Sequence, residues 1–166
     1  IAQPTVSSPG LYTLTVTNTA NGCTSSDDVD ITKDISTPIA DAGANVTLTC
    51  TNPTLQIGTA TISGNSYSWS PSVGLSNANI AQPTTAKTGN YTLTVTQNSN
   101  GCTSTDAVNV TIDSIRPAAN AGINKVITCT NTTHLIGSTA IAGNTYSWSP
   151  ALGLNSDTIA QPTAST

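Results

Sequence analysis

Four cysteines are the residues in this chain whose spacing most clearly suggests chemistry. They lie at positions 23, 50, 102 and 129, so that 27, 52 and 27 residues separate them. Zinc sites usually take cysteines in pairs a few residues apart, and a single histidine cannot complete a repeated Cys/His site. We therefore expect no metal here. We treat Cys23, Cys50, Cys102 and Cys129 as disulfide candidates, which implies an oxidising compartment.

The carboxylates and the single histidine give weaker indications of a functional site than the cysteines do. Asp27, Asp28 and Asp30 could supply oxygen ligands to calcium, but only the first has a carboxylate counterpart in the second half of the chain, Asp106. We interpret the cluster as a solvated surface. His134 has no recurring partner of the kind a catalytic triad needs, and we expect it at the surface or at a sheet edge. No nucleophile–base pair or cofactor loop recurs, so we predict no enzymatic activity and no cofactor.

The amino-acid composition excludes several further classes of protein. The 166 residues include 32 Thr, 19 Ser and 16 Asn, while charged residues make up 7% and the net charge is −4. Four cations cannot form the basic stripe that nucleic-acid binding requires. The abundance of β-branched residues disfavours a helical bundle, and no apolar run reaches the length of a membrane span. We expect an extracellular β-rich protein. The opening Ile-Ala-Gln-Pro is not a natural start, so we expect the chain to be an excerpt of a longer one.

An internal repeat organises the chain. IAQPT occurs at residues 1, 80 and 159, and NGCTS at residues 21 and 100, in each case 79 apart. Aligned without gaps, residues 1–79 and 80–158 are identical at 43 of 79 positions. Such a period indicates tandem copies of one structural unit. Prolines at 38 and 117 mark the linkers. They divide the chain into the last strands of one repeat (1–37), a complete repeat (38–116) and the first strands of another (117–166).

Alternating apolar and polar residues predict the strands of the complete repeat. The segments 46–49, 54–57, 67–70, 91–95 and 107–112 show this alternation, and a hairpin turn is expected at 98–101. A polar outer face fits antiparallel sheets packed as a sandwich. Tyr67 and Trp69, repeated as Tyr146 and Trp148, could stack on sugars, but we interpret them as core residues.

Several motifs resemble PKD-type, immunoglobulin-like repeats. They are ADAG at 40–43, YSWSP at 67–71, GNYTLTVT at 89–96 and NGCTSTDAV at 100–108. Such repeats occur in giant surface proteins of Bacteroidota exported by type IX secretion, among them gliding-type adhesins and grappling-hook filaments. The resemblance implies tandem β-sandwiches in a stalk or filament of a cell-surface appendage. It leaves a second role open, an adhesive module that contacts glycans or target cells. It also makes Ser114 and Thr158, each after an Asp and before an Ile, candidate O-glycosylation sites.

Disulfide connectivity stays open at the level of the sequence. Cys50 and Cys102 fall in one repeat, and their pairing is the simplest interpretation. Immunoglobulin-like topology, however, would place them at opposite ends of the unit, so a bond to the next repeat or to another chain is the alternative to the pair within one repeat, which we favour. The nearly uncharged surface also predicts self-association into a homo-oligomer or filament, and the complementary terminal halves could pair by strand exchange.

Overall fold

The computed structural model describes residues 3–165, and every regular element in that range is a β-strand. The all-β class predicted from the sequence is therefore confirmed. Chain contacts divide the protein into two compact units, one up to Asp113 and one from Ser114 onward. The strands are β1 (Gly10–Thr17), β2 (Thr24–Ile31), β3 (Val46–Leu48), β4 (Leu55–Gln56), β5 (Asn65–Ser70), β6 (Thr84–Thr85), β7 (Gly89–Gln97), β8 (Thr103–Ile112), β9 (Thr133–Leu135) and β10 (Thr163–Ser165).

The main sheet of the complete repeat has the strand order β3-β8-β7-β5. Successive side chains of a strand point to opposite faces, and this alternation sets the core in β7. Tyr91, Leu93 and Val95 are at most 2% exposed, whereas Asn90, Thr92 and their outward neighbours face solvent. The long hairpin β7–β8 is thus the central pair that carries the core.

A second, smaller layer closes the core from the other side. β4 pairs with β6 through two residues, and an isolated bridge joins Leu75 to Thr85. Trp69 on β5 is 3% exposed and its indole nitrogen donates to the Ile80 carbonyl oxygen at 2.9 Å. The core residues that pack around it are Ala42, Leu48, Ile57, Tyr91, Leu93, Val95, Val108 and Val110.

The main sheet departs from the predicted antiparallel arrangement at one edge. β3 pairs with β8 in parallel, Val46 with Val110 and Leu48 with Ile112. The expectation of purely antiparallel sheets was wrong here because alternation reveals which face of a strand is buried, but not the direction of its neighbour. The short strand β6 also escaped prediction, since two residues are too few to show a period.

The other regions repeat parts of this unit. β1 and β2 form an antiparallel hairpin in which Leu14 lies opposite Asp27, as Leu93 lies opposite Asp106 in β7–β8. In the second compact unit β9 pairs with β10. Its turn contacts match those of the complete repeat: Gly137 donates to Ala121 at 2.9 Å, as Gly58 donates to Ala42. We call residues 10–31 the N-terminal hairpin and residues 117–165 the C-terminal half-repeat.

Candidate functional site

The two ends of the complete repeat are the regions where its neighbours along the chain attach. At the first end, the Asn100 side-chain amide donates to the Ser36 carbonyl oxygen at 2.8 Å, and the Ser104 hydroxyl donates to the carbonyl oxygen of Pro38. At the second end, the Asp113 amide donates to the Leu48 carbonyl oxygen at 2.8 Å. β8 joins the two ends, and its ten residues span about 30 Å. The chain therefore arrives at one end of the repeat and leaves from the other.

Two of the cysteines lie at these ends. Cys102 precedes β8, and its amide donates to the Asn100 side-chain oxygen at 2.9 Å, while Cys50 follows β3 beside the far end of β8. A disulfide needs its two Cα atoms within about 7 Å. Because the length of β8 separates Cys50 from Cys102, the two cysteines are not bonded to each other in this structure. The four cysteines are free thiols in this structure, and their role in bonds between repeats or chains stays a prediction.

Asp106 makes a long-range structural contact that the sequence did not reveal. Its carboxylate accepts a hydrogen bond from the Ala42 amide at 2.8 Å and ties the first segment of the repeat to β8. This bond, with a second from the Ala107 amide, lowers the pKa of Asp106. The signal that could have found it is recurrence, since Asp27 occupies the same repeat position. Asp28 and Asp30 do not recur and face away from that side of β2.

A second carboxylate with a lowered pKa, that of Asp34, lies in the linker before the complete repeat. The Ser36 hydroxyl donates to the Asp34 carboxylate at 2.6 Å and the Ser36 amide at 3.0 Å. These bonds, with a smaller contribution from the Asn100 side chain, lower the pKa of Asp34. Because Asn100 also holds the Ser36 carbonyl oxygen, these three residues fix how the linker meets the β7–β8 turn.

The remaining sequence candidates do not come together. Within residues 3–165 no group of three His, Cys, Asp or Glu side chains is arranged to hold a metal ion. His134 is half-buried on the edge strand β9, and its Nε2 lies 2.7 Å from the Val126 carbonyl oxygen. Ser114 and Thr158 are both exposed, so each is accessible to a modifying enzyme. Their glycosylation stays a prediction.

The aromatic pair of the complete repeat supports the core interpretation, whereas Tyr146 and Trp148 are half-buried. Trp69 is buried and the half-buried Tyr67 packs against the core, with its hydroxyl 2.7 Å from the Ile62 amide. A buried indole face cannot stack on a sugar.

A buried hydroxyl network lies near this core. The Thr85 side chain is 1% exposed, and its hydroxyl accepts from the Lys87 amide at 3.1 Å and lies 3.2 Å from the Tyr91 hydroxyl. This small network locks the turn that leads into β7.

Two apolar surfaces stand out in the partial repeats. On the N-terminal hairpin, Tyr12, Leu14, Val16 and Val29 share one face and are 37%, 64%, 58% and 55% exposed. Their counterparts in the complete repeat, Tyr91, Leu93, Val95 and Val108, are at most 2% exposed. The C-terminal half-repeat carries an open groove lined by Ala121, Tyr146, Trp148 and Ala160, among others. Both surfaces correspond to parts of the core of the complete repeat.

Comparison with known proteins adds no relative: no family model matches this chain, and no curated protein is significantly similar to it. Among the described residues, no helix is long and apolar enough to cross a membrane.

Proposed function

We propose that this chain is a load-bearing segment of a long extracellular filament or stalk, built from tandem immunoglobulin-like repeats on a bacterial surface appendage or adhesin. The observation that carries the proposal is the placement of the two ends of the complete repeat. Because the chain arrives beside Asn100 and leaves beside Leu48, at opposite ends of β8, tension along the chain passes through the whole length of the complete repeat. The resemblance to repeats of type IX-secreted proteins of Bacteroidota suggests the cell surface as their location.

The strand order adds a mechanical argument. β3 begins the complete repeat, β8 ends it, and the two are parallel neighbours. A force applied to the two ends therefore pulls β3 and β8 in opposite directions along their length. Their contacts are then loaded together in shear, and cannot open one after another. Side chains reinforce the pair: the Asn45 amide oxygen accepts from the Asn109 amide at 2.8 Å, and the hydroxyls of Thr47 and Thr111 lie 2.8 Å apart.

Force spectroscopy on the full chain tests the mechanical role. We expect Val46→Pro to lower the unfolding force of the complete repeat strongly, because Val46 and Leu48 turn their amides toward β8 and proline removes one of them from the parallel pair between the two loaded strands. Leu55→Pro is the matched control. It also replaces a half-buried strand residue whose amide faces the partner strand, but in the β4–β6 ladder, which does not join the loaded strands. Equal force losses in the two variants would contradict the shear geometry.

Localisation tests the cellular role. Antibodies raised against the 166-residue chain should label filaments or stalks outside the cell. Labelling confined to the cell interior would refute the proposal. Binding of the isolated chain to a glycan array would instead favour an adhesive module over a passive stalk.

A further inference from the structure

The turn between β7 and β8 contains an asparagine followed by glycine, a pair in which the asparagine side chain can react with its own backbone. Asn100 precedes Gly101, and the only other such pair in the sequence is Asn21–Gly22 in the N-terminal hairpin. In this reaction the glycine amide nitrogen attacks Cγ of the asparagine. A side chain on the following residue hinders that approach, and glycine has none. The sequence therefore places a reactive amide at the end of the repeat where the linker attaches.

Hydrogen bonds hold both reacting groups in the folded repeat. The Asn100 amide nitrogen donates to the Ser36 carbonyl oxygen at 2.8 Å and to the Ser36 hydroxyl at 3.3 Å. The Asn100 side-chain oxygen accepts from the Cys102 amide at 2.9 Å. The attacking group is also bound, since the Gly101 amide donates to the Gln97 carbonyl oxygen at 2.8 Å. Because Ser36 belongs to the linker, docking of the linker restrains the nitrogen that has to leave.

The N-terminal hairpin contains the same turn without a linker bound to it. The pentapeptide NGCTS is identical in the two hairpins. The turn bond is the same as well, because the Cys23 amide donates to the Asn21 side-chain oxygen at 3.0 Å, as Cys102 does to Asn100. Within residues 3–165, the side-chain nitrogen of Asn21 has no hydrogen-bond partner, whereas that of Asn100 is bound to the linker. Asn21 is therefore an internal reference for the reactivity of the turn itself.

We propose that Asn100 is a self-modification site, protected while the linker is docked and converted to aspartate or isoaspartate once the linker detaches. The Gly101 nitrogen forms a bond to Cγ of Asn100 and gives up its proton, and the C–N bond of the side-chain amide breaks as ammonia leaves. Water then opens the resulting cyclic imide at either carbonyl and yields a carboxylic acid, which ionises at neutral pH. The net reaction consumes a water molecule and releases ammonia, with no oxidation or reduction.

The modified side chain can no longer hold the linker. A carboxylate has no donor, so the bond to the Ser36 carbonyl oxygen is lost. The new charge also faces the carboxylate of Asp34, which the Ser36 hydroxyl and amide already bind, and like charges repel. Only Thr32 and Lys33 lie between the end of β2 and Asp34, so the docked linker restrains almost the whole connection. Modification therefore makes a restrained joint permanently flexible. In a load-bearing chain, which is the proposed function, it marks joints that have opened.

Peptide mass spectrometry of the full chain, incubated in mildly alkaline buffer under reducing conditions, tests the protection. We expect Asn100 to lose its amide about tenfold more slowly than Asn21, because the bonds to the linker must open first. In urea the two sites should react at similar rates. The double substitution Asp34→Ala and Ser36→Ala removes the side chains that hold the linker in place, and should accelerate the reaction at Asn100 alone. Equal rates at the two sites in the folded chain would overturn the proposal.

Nitrogen-15 relaxation of the Ser36 amide tests the consequence. Asn100→Asp supplies the modified side chain directly, and the order parameter of Ser36 should fall from about 0.85 to below about 0.6. Asn98→Asp is the matched control, because it adds the same charge to an exposed position of the same turn and should leave Ser36 rigid. The amide spectrum of β7 and β8 verifies that both variants fold. A rigid Ser36 in Asn100→Asp, or equal loosening in both variants, would overturn the proposal. Either result leaves the filament role untouched, because localisation and force measurements test that role separately.

Discussion

Substitution of Gly58 by alanine should destabilise the complete repeat far more than the loss of backbone freedom alone. Gly58 has a φ of +83°, which costs an L-residue about 1–2 kcal/mol. A Cβ at this position would lie 2.1 Å from the Ala81 carbonyl oxygen and 2.9 Å from Cζ2 of Trp69. Both neighbours are buried and cannot move freely, so overpacking adds about 1–3 kcal/mol. Displacement of the adjacent Ile80 carbonyl from the Trp69 indole adds about 1 kcal/mol.

These contributions sum to about 3–6 kcal/mol, a large part of the stability of an ordinary domain. Gly64→Ala is the matched control. Gly64 has the same φ of +83°, but nothing lies within 4 Å of its added Cβ, so only the backbone cost of about 1–2 kcal/mol is expected. Urea unfolding followed by Trp69 fluorescence, with Trp148→Phe in both proteins, measures the difference. If Gly58→Ala costs no more than Gly64→Ala, the close packing of the tryptophan layer is refuted.

Three further predictions concern the contacts of the complete repeat. Hydrogen bonds lower the pKa of Asp106 in the folded state, so the ionised carboxylate stabilises the fold. This contribution is complete above the unfolded-state pKa of about 4 and is lost as the pH falls through the folded-state pKa. Asp106→Asn should therefore flatten the decline of the urea midpoint in acid. Thr85→Val should cost about 1–3 kcal/mol, because it removes the buried hydroxyl that pairs with the Lys87 amide and the Tyr91 hydroxyl, whereas Tyr91→Phe should cost only about 0.5–1.5 kcal/mol, both in urea unfolding. Non-reducing peptide mapping should find no Cys50–Cys102 bond within a chain. Such a bond would contradict the observed length and pairing of β8.

The sequence predicted the strands whose alternation is long. The segment 91–95 lies inside β7 and 107–112 inside β8, because one polar and one buried face leave a clear period of two. It did not predict the parallel pairing of β3 or the existence of β6. A three-residue and a two-residue strand carry too little pattern, and their partners lie far away in the chain.

The candidate functional residues, like the strands, were only partly predictable from the sequence. Recurrence in both copies singled out the aromatic pair and the cysteines, and it also marks Asp106 and Asn100, whose counterparts are Asp27 and Asn21. Recurrence cannot say what a residue contacts. The carboxylate of Asp106 reaches an amide 64 residues away, and only the folded chain reveals such a partner.

The sequence by itself determined the period of 79 residues, the β-class and the absence of a basic surface, since these depend on residue types and their spacing alone. Only the tertiary structure shows where the chain enters the complete repeat and where it leaves it. Contacts of Asn100 and Leu48 place its two ends at opposite ends of β8, and the same geometry separates Cys50 from Cys102. Spacing along a chain does not determine distance in space. The distance in space between two residues depends on the order and direction of the strands in the sheet, and burial of the shared core determines both.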